Sequence, residues 1–109
     1  MAKVVISPSA KADMREIGEY IRRELKNPSA AIGLIRRFRT AIDSLRDFPE
    51  SGAPLLPSGK ASCPYRFLVV GKYLIFCHTD KAAVMVDRVL YGRRDYMALL
   101  FGDDLAEEE

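Results

Sequence analysis

Tyr65-Arg66-Phe67-Leu68-Val69-Val70-Gly71-Lys72-Tyr73-Leu74-Ile75-Phe76-Cys77 reads as two β-strands and the turn between them. Tyr65 to Val70 and Tyr73 to Cys77 are aromatic, β-branched or otherwise apolar. The two residues separating them are Gly-Lys, a glycine-first pair that suits the tight turn of an antiparallel hairpin. Downstream, Asp80 to Ala83 marks a second turn, and Val84 to Leu90 forms a third strand. The chain from Tyr65 to Leu90 is therefore expected to be a three-stranded meander. A short element with an apolar edge (Tyr96, Leu99, Leu100, Phe101) follows it.

Upstream, the period changes. Glu50 to Pro64 carries Pro54, Pro57 and Pro64 with Gly52 and Gly59, so no regular element is expected there. A connection of that length inside a compact domain often has a function. Before it, Asn27-Pro28 and Ser7-Pro8 each place a capping side chain ahead of a proline. Proline at the first helical position loses no donor that the helix needs. Met14, Ile17, Ile21 and Leu25 then recur at helical spacing, as do Ala31, Ile35, Phe38, Ile42 and Leu45. Helices from about Pro8 to Lys26 and from Pro28 to just before Pro49 follow, joined closely enough to form an antiparallel hairpin. Lys3 to Ile6 is a short N-terminal strand.

The order β-α-α-β-β-β gives an α+β fold: a small, mostly antiparallel four-stranded sheet with a two-helix hairpin on one face. The other face is left available as a concave surface. Residues 1–101 are expected to be a single domain and residues 102–109 an acidic tail.

Composition narrows the function. The chain of 109 residues is 49% hydrophobic and 29% charged, a balance that supports one folded core. It contains no apolar run long enough to cross a bilayer, and the apolar start is too short for a secretory signal, so a cytoplasmic protein without a membrane partner is expected. Cys63 and Cys77 are expected to be free thiols, and together with His78 they supply too few ligands for a metal. The three are read as structural. Five of the 15 acidic residues lie in the tail with no base among them. Residues 1–101 thus set all 17 basic residues against ten acidic ones and carry +7, which suits an acidic or polyanionic partner.

Phosphate-cradling, dinucleotide, nucleophile-elbow and zinc-protease motifs are all missing, and no cofactor is expected. What stands out is arginine. Arg66 opens the meander, Arg93 and Arg94 follow it, and Arg88 sits in the otherwise apolar strand Val84-Met85-Val86-Asp87-Arg88-Val89-Leu90. An arginine in such a strand either pairs with a carboxylate, Asp95 being one candidate, or faces an anion site. A guanidinium can grip phosphate bidentately and stabilise the charge that develops as a phosphodiester breaks. Tyr65, Tyr73, Tyr91 and Tyr96 lie nearby, and tyrosine stacks on bases, although strands favour aromatic residues in any case.

The run Tyr65 to Phe76, followed by Arg88-Val89-Leu90-Tyr91-Gly92-Arg93-Arg94-Asp95-Tyr96, resembles the C-terminal half of RelE/ParE-family toxins. Leu45-x-x-Phe48-Pro49-x-x-Gly52 is similar to the segment closing their second helix. With the first strand and helical hairpin in order, the resemblance spans residues 1 to about 101. It implies a growth-arresting toxin of a type II toxin–antitoxin module, neutralised by a cognate antitoxin. Candidate antitoxin contacts are the helical hairpin and the exposed sheet edge.

The resemblance implies two targets. RelE-like members cut mRNA on the ribosome. In that reading Arg66 clamps phosphate, Arg94 stabilises charge, Lys60 falls loosely in the equivalent loop, and Tyr96 stands in for a general base that is not evident. ParE-like members inhibit DNA gyrase without catalysis. The Gly71-Lys72-Tyr73 hairpin and the Gly92-Arg93-Arg94-Asp95 ending are closer to that branch, in which Arg93 and Arg94 contact a target or brace the C-terminus. In either branch Lys60, Arg88, Arg93 and Tyr96 are the candidate target- or RNA-binding residues. Gyrase inhibition is the reading preferred here, mRNA cleavage the alternative. A non-toxic protein or nucleic-acid interaction module is a third possibility.

Overall fold

The computed structural model describes residues 2–54 and 65–92. Its elements are β1 (Lys3–Ile6), α1 (Pro8–Arg23), α2 (Pro28–Ser44), β2 (Ala53–Pro54), β3 (Tyr65–Val70), β4 (Tyr73–Asp80) and β5 (Ala83–Tyr91). Both caps form as their residue types dictate. The Ser7 hydroxyl accepts from the Ala10 amide at 3.0 Å, and the Asn27 side chain accepts from the Ala30 amide at 3.1 Å. Helix α1 stops at Arg23, short of the expected Lys26, because Lys26 turns into the left-handed region at φ 52°. Leu25 consequently leaves the apolar stripe and is exposed.

The sheet runs β1-β5-β4-β3-β2. β3, β4 and β5 form the expected antiparallel meander, and β1 adds to β5 in parallel, with Lys3 opposite Ala83 and Ile6 opposite Val86. Gly71 takes φ +60° in the β3–β4 turn, as a glycine-first hairpin requires. The four expected strands gain a fifth at the outer edge. Ala53–Pro54 pairs antiparallel with Phe67 and Arg66, inside a segment where no regular element was expected. Edge position explains why a proline is tolerated there. Gly52 explains how the segment comes so close, since a Cβ at this position would lie 2.7 Å from the Phe67 carbonyl oxygen.

The main core lies between the helical hairpin and the sheet. Phe38, Ile42 and Leu45 of α2 and its C-cap meet Ile75, Val84, Val86 and Val89, all at most 3% exposed. Because side chains alternate across a strand, Leu74 and Phe76 point the other way. They form a second cluster with Tyr65, Phe67 and Leu90, so the face away from the helices has an apolar floor of its own. No helix among the described residues is long and apolar enough to cross a membrane.

Candidate functional site

Three features could meet a target or a partner, and the first is positioned by the length of β5 relative to β1. β1 pairs only with Ala83 to Val86, so Asp87 to Tyr91 run past it with no strand on that side among the described residues. Helix α1 takes over where β1 ends. The Ser7 amide donates to the Val86 carbonyl at 2.9 Å, and the Ser7 hydroxyl donates to the Asp87 carbonyl at 2.9 Å. One and a half turns later Asp13 accepts from the Val89 amide at 2.9 Å. It also accepts from Arg88 through Nε at 2.7 Å and Nη2 at 2.9 Å.

Arg88 therefore pairs with a carboxylate, and the partner is Asp13 of α1. Its guanidinium is held more firmly protonated than usual, chiefly by the hydrogen bond to Asp13, with burial acting against this. The geometry is the bidentate fork that arginine makes with carboxylate. Arg66 is also engaged: its Nη1 donates to the Gly52 carbonyl at 3.0 Å, tying β3 to the start of the long connection.

A bulge opposite Phe76 and Cys77 creates the second feature. Phe76 faces Arg88 and Cys77 faces Val86, so Asp87 is an extra residue on β5. It turns toward β4, where its Oδ2 lies 2.7 Å from His78 Nδ1, each side chain about a quarter exposed. The Tyr65 ring packs on the imidazole with centroids 5.0 Å apart. The carboxylate engages Nδ1, and Nε2 is the other nitrogen through which an imidazole can exchange a proton. Sequence reasoning treated His78 as structural and did not see the dyad. The spacing of nine residues across a two-residue turn was a usable signal, but the bulge that swings Asp87 into reach was not.

The third feature is a groove of about 750 Å³ between α1 and α2 that reaches Ile6 of β1. Met14, Ile32 and Ile35 give it an apolar bed. Lys11, Arg15, Arg22, Arg36 and Arg39 outnumber Glu19 and Asp43 around it, and Ile32 is 55% exposed within it. Cys77 belongs to none of these features: it lies in the core, where burial raises its thiol pKa to about 11. No group of three metal-ligating side chains occurs among the described residues. Lys60, Arg93, Arg94 and Tyr96, with Asp95, lie outside the described residues. Of the six residues singled out from sequence, Arg66 and Arg88 are thus the two whose surroundings are known.

Residues 4–96 match the model of the ParE toxin of the type II toxin–antitoxin system parDE. Among solved structures, the chromosomal ParDE toxin–antitoxin system from P. aeruginosa is similar at a TM-score of 0.69 and 15% identity. That match covers 85% of this chain and 98% of the other, and at this identity it speaks for the fold. The RelB-RelE antitoxin-toxin complex from Methanococcus jannaschii also matches, at a TM-score of 0.46 and 16% identity, covering 89% of this chain and 98% of the other. No curated protein matches the chain in sequence. A family match over nearly the whole folded body, with β1, the helical hairpin and the meander all in place, assigns the chain to the ParE toxin family of type II toxin–antitoxin systems.

Proposed function

We propose that this toxin arrests growth by inhibiting DNA gyrase, and that a cognate antitoxin neutralises it by seating an amphipathic helix in the groove across α1 and α2. The ParE match over residues 4–96 carries the gyrase reading. It is supported by what the two described sheet arginines do: Arg88 is committed to Asp13, and Arg66 holds the Gly52 carbonyl. Both act as braces within the fold. Lys60, Arg93 and Tyr96 are then target contacts.

The groove supports the antitoxin reading through its chemistry. An apolar bed with a basic rim fits a helix that has an apolar stripe and acidic flanks, bound in the helix-in-groove mode. In the test, a chain expressed without antitoxin induces the DNA-damage response and leaves DNA broken at gyrase sites. Growth arrest without DNA damage removes the gyrase reading.

The His78–Asp87 dyad favours a second reading, RelE-like cleavage of mRNA. An imidazole whose Nδ1 is held by a carboxylate can take a proton from a ribose 2′-hydroxyl at Nε2, while Tyr65 offers a ring on which a base can stack. Arg66 would clamp phosphate and Arg94 stabilise charge. In this reading His78→Ala abolishes mRNA cutting and growth arrest together, whereas a gyrase inhibitor keeps its activity.

A further inference from the structure

Beyond the hairpin groove and the open sheet face, a smaller cavity of about 540 Å³ lies between α1 and the half of β5 that β1 leaves uncovered. Tyr20 of α1, Tyr73 of β4 and Tyr91 of β5 converge on it. Tyr91 stands edge-on to Tyr73 with centroids 5.3 Å apart, and Tyr73 is fixed from the core side by an edge-on contact with Phe38 at 5.6 Å. Tyr20 and Tyr91 are more than half exposed, so their ring faces are accessible. The Tyr73 phenol is held neutral, because burial first and then the neighbouring Tyr91 and Tyr20 raise its pKa.

Three charged residues line the same cavity. Arg88 and Asp13 satisfy each other through the bidentate pair, and Asp13 spends its remaining capacity on the Val89 amide. Exposed Glu16, one helical turn beyond Asp13, also acts on Arg88 through its charge, and the lining holds two carboxylates against one guanidinium. Rings with negative faces beside a net excess of one carboxylate attract a cation. A flat guanidinium fits better than an ammonium, since it stacks on a ring while its edge forks to a carboxylate.

We propose that this tyrosine-walled cavity is a docking slot for an arginine side chain presented by a protein partner. Tyr20 and Tyr91, both more than half exposed, frame its mouth, so a side chain carried on a partner's surface can enter it. The slot is separate from the hairpin groove and does not depend on the gyrase reading.

The test uses the whole protein and a capped Gly-Arg-Gly peptide, with the same peptide carrying neutral citrulline as control. The chain has five tyrosines and no tryptophan, so ring resonances of labelled tyrosine give a small, assignable set. Expected are saturable shifts of Tyr20, Tyr73 and Tyr91 with the arginine peptide, and binding weaker by about tenfold or more with citrulline, the effect of losing roughly 1.4 kcal/mol of cation attraction. Glu16→Gln and Tyr20→Leu, both at exposed positions, weaken binding without changing Tm. Equal binding of the citrulline peptide overturns the proposal, as does the absence of ring shifts at any attainable concentration. Uridine monophosphate shifting the rings more readily than the peptide makes the slot a base-stacking site instead. Binding that appears only in an Arg93→Ala/Arg94→Ala variant shows that the chain fills the slot itself, which also overturns it.

Discussion

Asp13 and Arg88 lie 75 residues apart and form a two-point ion pair that fastens α1 to the half of β5 beyond its pairing with β1. Because Asp13 also holds the Val89 amide, it substitutes for the strand that β1 is too short to provide. Asp13→Ala leaves a partly buried guanidinium and a backbone donor without their acceptor. It is expected to destabilise the fold by about 2–3 kcal/mol, the range for charged hydrogen bonds in a partly screened site. Chemical unfolding measures this, and an Asp13→Leu/Arg88→Met double variant should recover part of the loss.

Lys81 occupies the β4–β5 turn at φ 59°, a conformation that suits glycine. Lys81→Gly should raise stability by about 0.5–1 kcal/mol, the relief of left-handed strain less the extra freedom of the unfolded chain. A matched Gly71→Ala at φ +60° should lower it by a similar amount. Thermal unfolding of the two variants decides the sign in each case.

Gly52 lets β2 reach β3. A methyl at that position would be 2.7 Å from the Phe67 carbonyl oxygen, closer than atoms pack, and the crowded atom is backbone. Gly52→Ala should cost about 1–3 kcal/mol and displace the carbonyl that Arg66 holds. Loss of hydrogen-exchange protection confined to β3, with β4 and β5 unaffected, is the expected signature.

Cys77 is 1% exposed, and its thiol pKa is raised to about 11 by burial first and the nearby Asp87 second, with Arg66 opposing. In a Cys63→Ser background the native protein should resist thiol reagents at pH 8 and react only on unfolding. The sign for stability follows. The unfolded thiol ionises near its ordinary value while the folded one stays protonated, so stability is intact below about pH 8.5 and falls as pH climbs toward 11. A loss of about 3 kcal/mol over that window is expected, with Tyr73, also raised, acting in the same direction.

Local chemistry made most of the fold readable. Ser7-Pro8 and Asn27-Pro28 mark both helix starts, and Gly71-Lys72 marks the hairpin, because each signal depends on adjacent residues alone. The functional surfaces are less legible, since they arise from register. Nothing near Arg88 in the chain points to Asp13, and Asp95 was the natural guess. The two meet only because β1 pairs with β5 and stops at Val86. His78 and Asp87 meet through one bulge residue. Tyr20, Tyr73 and Tyr91 converge from three elements that nothing in their spacing relates.

The central claim, that the target is gyrase, is tested most directly by adding the purified toxin to DNA gyrase and supercoiled plasmid with ATP. Linear plasmid released by protease treatment, at toxin concentrations that also block supercoiling, is the predicted result, and His78→Ala should behave like the natural chain. Undisturbed supercoiling from a preparation that cuts mRNA in a translating extract would contradict it and return the function to the His78–Asp87 corner.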